Sequence, residues 1–170
     1  MIQRTLIQIG LLFFPLVLGA CANKEQAVLP DVCPHAAILR PLERVEDYGG
    51  DTHDVANLVA VAVMDSVVIE KCDVEDEAYD LNLLIRMRAE KGPRLGGNKL
   101  SLPYVVSLVG EDDRVDHREI STASITFDGK SKLMPHEEKL HLVIPRVKDE
   151  KAPSQYILLG FQLSESQLKE

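Results

Sequence analysis

Between Tyr79 and Arg88 apolar and polar positions alternate, with Tyr79, Leu81, Leu83, Ile85 and Met87 interleaved by Asp80, Asn82, Leu84, Arg86 and Arg88. A two-residue period sends successive side chains to opposite faces, so this stretch predicts a strand with one buried and one wet face. Leu140, Leu142 and Ile144, alternating with His141 and Val143, predict another. From Val55 to Cys72 β-branched residues are dense (Val59, Val61, Val63, Val67, Val68, Ile69) and no helical stripe emerges; Asp65-Ser66 predicts a turn or bulge that splits the run in two. Tyr104 to Val109 is apolar on both faces, as in a central strand, and Gly110-Glu111-Asp112-Asp113 turns it into a partner through Val115 and Ile120. Ser124 to Phe127 ends at Asp128-Gly129, a hairpin dipeptide, and Tyr156 to Leu163 predicts the last strand. Ahead of the sheet, Pro41 suits the first position of a helical turn running through Leu42, Val45 and Tyr48. Gly92 to Asn98 predicts a loop, and Ser164 with Gln167 has capping-box spacing, which predicts a short helical end.

Seven or so short strands with turn signals between them predict a mainly β fold, an antiparallel β-sandwich, with a small closed β-barrel as the alternative. The Cys, Trp, Cys pattern of immunoglobulin domains is missing, since the chain has no Trp and Cys33 precedes the strands. The likeness is therefore immunoglobulin-like in architecture only.

The first residues follow a different pattern. Arg4 precedes an apolar run from Leu6 to Leu18, and Gly19 and Ala20 then lead into Cys21. This is the anatomy of a secretory signal. The run is shorter than the roughly 20 apolar residues that span a bilayer, and Pro15 would kink it. Leu18-Gly19-Ala20-Cys21 also resembles the lipobox of bacterial lipoproteins, in which the cysteine carries diacylglycerol and the signal is cut before it. The resemblance implies a covalent lipid on Cys21, a membrane partner through that anchor, and a place in the cell envelope. Ala22, where many inner-membrane lipoproteins have Asp, favours the periplasmic face of the outer membrane. Each buried methylene contributes about 0.8 kcal/mol, and two acyl chains anchor stably. The expected organisation is a signal peptide over 1–20, a lipidated tether over 21–32 and one β domain over 33–170.

Removing residues 1 to 20 leaves 150 of 170, enough for one domain with a real core. The formal net charge moves from −8 to −9, because Arg4 is the only charge removed. An acidic surface argues against nucleic acid and anionic lipid as direct partners. With Cys21 assigned to lipid, Cys33 and Cys72 remain as an even pair in a disulfide-permissive compartment. A bond between them closes a loop of about 40 residues, for which the chain-entropy estimate gives roughly 4 kcal/mol. Buried free thiols or a metal site are the alternatives, but neither cysteine has a CxxC or a clustered His beside it.

The mature region as a whole is similar to a group of small envelope lipoproteins of Gram-negative, especially alphaproteobacterial, cells. The residues that carry the similarity are Cys33-Pro34, Cys72, Tyr104-Val105-Val106 and Gly160-Phe161-Gln162-Leu163. That group has no assigned activity. The similarity strengthens the β fold and the Cys33 to Cys72 bond and adds no site.

Four stretches offer candidate chemistry. Asp51-Thr52-His53-Asp54 has the residue types of a metal site or of a base with its orienting acid, though neighbours this close in a loop rarely converge. Asp73, Glu75, Asp76, Glu77 and Asp80 supply carboxylates suited to Ca²⁺ but lack EF-hand spacing and its glycine. His136 and His141 are five apart, not the four of a zinc helix, and face opposite sides of a strand. Arg88, Lys91, Arg94 and Lys99 gather cations on and beside a glycine-rich loop, and form a candidate interaction loop for an acidic partner, lipid headgroups or peptidoglycan carboxylates. The loop lacks Gly-Lys-Ser/Thr, which excludes a P-loop.

No Gly-x-Ser-x-Gly occurs, and all three cysteines are assigned. The expected function is accordingly a non-catalytic binding or structural module of the envelope with an envelope protein as partner, and with no catalytic residues, metal or cofactor beyond the lipid. A small ligand carrier and a metal-dependent hydrolase around His53 are the alternatives. A large apolar pocket would favour the carrier.

Overall fold

The computed structural model describes residues 32–49, 54–146, 153–165 and 167–169. Among them are eight strands: β1 (His35–Ile38), β2 (Arg44–Tyr48), β3 (Leu58–Val74), β4 (Ala78–Lys91), β5 (Lys99–Val109), β6 (Val115–Thr126), β7 (Leu133–Pro145) and β8 (Tyr156–Phe161). They form two four-stranded sheets, ordered β1-β8-β5-β6 and β2-β3-β4-β7. Every pairing is antiparallel except that of β1 with β8. The sheets do not close into a barrel, so the fold is a β-sandwich.

Strand β4 organises the second sheet. Tyr79, Leu81, Leu83, Ile85, Met87 and Ala89 are all buried, at consecutive inward positions. Its neighbour β3 keeps step only by bulging twice, between Met64 and Ser66 and between Ile69 and Lys71. Each extra residue flips the phase of the strand, so the positions opposite β4's inward set are Ala62, Met64, Val67, Ile69, Cys72 and Val74. This is why β3 shows no two-residue period in the sequence. Asp65-Ser66 does make a bulge, but the strand runs on through it unbroken. Leu84, on the nominally wet face of β4, is also buried. It lies between Val68 and Lys139 in the register.

In the first sheet, β5 is central as expected, with β8 on one side and β6 on the other. Tyr104, Leu102 and Leu100 of β5 join Ile157, Leu159 and Phe161 of β8 in the core. Phe127, just beyond β6, is fully buried there too.

Three local expectations need correction. Pro41 starts only a 3-10 turn, Arg40–Leu42, and Val45 and Tyr48 belong to β2. Val45 is buried while its neighbours are not, so the strand's alternation, and not a helical stripe, serves the core. Asp128-Gly129 does not close a hairpin: β6 and β7 lie in different sheets, and the dipeptide carries the chain across the sandwich. Asp128 instead accepts the backbone N–H groups of Lys130 and Ser131, at 2.8 and 2.9 Å, which shapes the crossing. The last strand stops at Phe161. Beyond it the capping box is made: Ser164 N donates to Gln167 Oε1 at 2.8 Å, and Gln167 N to Ser164 Oγ at 3.4 Å.

Candidate binding cleft between the sheet edges

The two sheets part company along one side. At its C-terminal half β6 points Ala123 and Ile125 into the core, both buried. Continuing the same inward phase toward its start gives Ser121, Glu119 and His117, of which Glu119 and His117 are exposed; a bulge at Asp116 then resets the phase, so that Val115 pairs with Val109. An inward position that is exposed means that the opposite sheet has moved away. Below this part of β6, a cleft of about 520 Å³ opens between β5 and β6 on one side and β7 on the other.

Its apolar lining comes from Val106 and Leu108 of β5, Leu142 and Ile144 of β7, and Ile157 of β8. All five are at least half-buried. The polar rim consists of Asp116, His117, Glu119, His141 and Gln155. Asp116 is fixed, accepting from Arg114 Nε at 2.8 Å and from Gln155 Nε2 at 3.0 Å. These two bonds, Arg114's first, hold its carboxyl below the ordinary aspartate range. Deeper along the inward face, burial pushes the Tyr104 phenol up, against the opposing effect of its bond with Ser121. The turn beside the mouth bends through Asp112 and Asp113, whose φ values of 61° and 56° are left-handed. Tyr156 Oη steadies it by donating to Asp113 Oδ1 at 2.6 Å.

The disulfide places the cleft along the chain. Cys33 and Cys72 are bonded, with Sγ atoms 2.04 Å and Cα atoms 6.4 Å apart. Cys33 lies two residues before β1, whose first residue pairs with Tyr156, and Tyr156 pairs in turn with Val109, opposite Val115. The start of β1, the start of β8, the end of β5 and the start of β6 thus share one end of the sandwich. The cleft opens at that end, three strand spacings or roughly 14 Å from β1.

The candidate interaction loop lies at the other end. Arg88 pairs with Asp65, Lys91 Nζ donates to Gly97 O, and Arg94 Nη1 donates to Asn57 Oδ1 at 3.1 Å. Three of its four cations therefore bond within the domain, and Lys99 is an exposed side chain at the start of β5. Gly92 lets this loop pass close to β3, where a Cβ would collide with the Leu58 carbonyl. Cys21, Asp51, Thr52 and His53 lie outside the described residues. Asp54 accepts from Ala56 N at 3.0 Å and caps the turn before β3. His136 and His141 do face opposite ways, the first paired with Glu138 at 2.9 Å and the second with Asp80 at 2.8 Å. In the acidic turn Asp73 pairs with Lys71. Among the described residues no three His, Cys, Asp or Glu side chains are grouped to hold a metal.

Sequence reasoning missed His117 and Glu119. The signal was there: His117, Glu119, Ser121, Ala123 and Ile125 form one alternating set that is apolar at Ile125 and Ala123 and polar from Ser121 back to His117. No protein-family model, curated protein or solved structure matches the chain.

Proposed function

We propose that the chain is a membrane-anchored, periplasm-facing lipoprotein that acts as a non-catalytic binding module of the cell envelope, with the cleft between β6 and β7 as its binding surface. The observation that carries this reading is the cleft itself, an aliphatic recess with a polar rim left open in an otherwise close-packed sandwich. The lipobox at Cys21 supplies the anchor, and the tether from Ala22 to Val32 spans at most about 40 Å when extended. It joins the domain at Cys33, the end at which the cleft opens. A bound partner would therefore sit on the membrane-proximal side, where tethering raises local concentration and makes modest affinity sufficient. The acidic net charge of −8 disfavours nucleic acid.

A second reading is a carrier of a small apolar ligand. A volume of about 520 Å³ falls within the range of small-molecule sites.

The test is capture from solubilised envelopes by the full-length lipoprotein and by a Leu142→Ser variant of unchanged circular dichroism. Retention of one component by the former and its loss by the latter is expected. Equal retention by both excludes the cleft as the binding surface.

A further inference from the structure

The cleft is flanked by two strand edges that no other strand covers among the described residues. Strand β6 ends the first sheet and β7 ends the second, so each has a row of backbone N–H and C=O groups directed away from its one neighbour. The two edges differ. Strand β7 has proline at Pro135 and Pro145, which removes donors from its ladder. Strand β6 is twelve residues long and contains no proline. From Val115 to Ile120 its side chains are exposed on both faces, while β5 holds its backbone in regular register from Leu108 with His117 through Val105 with Ile120, on the far side of the bulge at Asp116. That is a preformed template for one more strand beside an apolar recess.

Charge narrows what can be added. Asp80, Asp112, Asp113, Asp116 and Glu119 surround the mouth, against Arg114, Arg118 and Arg146. Arg114 and Asp116 pair with each other, which leaves Asp80, Asp112, Asp113 and Glu119 against Arg118 and Arg146, and the neighbouring turn adds Glu75, Asp76 and Glu77. Among the described residues the mouth is therefore net acidic.

Resting on the cleft as the binding surface, we propose that its occupant is an extended, basic segment of a partner protein that adds a strand to the free edge of β6. Alternate apolar side chains of that segment enter the recess against Leu142 and Ile144, and its Lys or Arg residues meet Glu119. Backbone pairing to β6 supplies affinity, and the recess and the acidic rim supply selectivity. Small apolar ligands need neither the free edge nor the acids.

The test uses the full-length lipoprotein in dodecyl maltoside and a phage library of random dodecapeptides. Enriched peptides are expected to alternate apolar residues with Lys or Arg and to bind roughly tenfold or more weakly to the Glu119→Lys variant. Glu119→Gln is expected to fall between the two. In the complex, hydrogen exchange is expected to slow at those amides of Val115–Ser121 that do not pair with β5. Lack of enrichment, enrichment of acidic or non-alternating peptides, or unchanged β6 exchange in the complex overturns the inference. Displacement of the peptides by dodecanoate without β6 protection does so too and assigns the recess to small apolar ligands. If Leu142→Ser abolishes envelope capture while the peptides fail, strand addition falls and the cleft reading stands. If Leu142→Ser captures normally, the cleft reading falls first.

Discussion

Cys33 and Cys72 tie the segment before β1 to β3 of the second sheet, across 39 residues of sequence. Cys72 sits at an inward position of β3 opposite Leu81, and Cys33 is buried. Replacing both by serine is expected to lower stability by roughly 2 to 5 kcal/mol, read from urea unfolding. A reductant should then have no further effect on the variant. Two carboxylates give a separate handle. Asp128 is held below the ordinary range by the Ser131 and Lys130 backbone amides, and Asp116 by Arg114 and Gln155. A carboxyl lowered in this way adds stability above its unfolded value, near about 3.9, and the contribution is lost as pH falls through the folded value. Urea midpoints measured from about pH 6 to pH 2 should accordingly fall less steeply in the Asp116→Asn, Asp128→Asn double variant. The difference is expected to be small because both groups meet solvent. The disulfide could be read from cysteine arithmetic once the lipobox resemblance set Cys21 aside, whereas Asp116, bonded to a residue 39 positions away, could not.

At the scale of the element, legibility followed regularity. Strand β4 is straight, so its buried set is also a sequence period. Strand β3 carries more β-branched residues yet hides its inward face, because two bulges reset the phase and place Ala60, Ala62 and Met64 inward in its first half. Asp128-Gly129 has the composition of a tight hairpin, but turn chemistry describes only the reversal and not which sheet the next strand joins. Gly160 shows the same dependence on distant chain: a Cβ there would strike Leu42, so the 3-10 turn packs directly on β8. These differences should appear in native-state hydrogen exchange. Amides of β4, flanked by β3 and β7, are expected to exchange most slowly. Those of Val115–Ile120 on β6 are expected to be among the fastest in any strand, and comparable protection in both would contradict an open edge there.

At the scale of the whole molecule, several turns differ in charge between the two ends. Glu75, Asp76, Glu77, Asp112 and Asp113 lie in the turns at the end where the chain enters through Cys33. Lys91, Arg94, Lys99, Lys130 and Lys132 lie at the far end, where the β4–β5 and β6–β7 connections meet through Lys91 N and Lys132 O at 2.7 Å. Changing Cys21 to serine, or treating cells with globomycin, is expected to stop normal processing and mature anchoring, which fractionation reads directly. Normal processing under globomycin would remove the anchor. Binding at the cleft is tested most directly in the intact envelope, by placing a photo-crosslinking residue at Glu119 on the cleft rim or at Lys99 in the basic loop. A discrete adduct from position 119 that is absent from position 99 and lost with Leu142→Ser is the predicted result. An adduct from position 99 with none from 119 would contradict it and return the binding role to the loop.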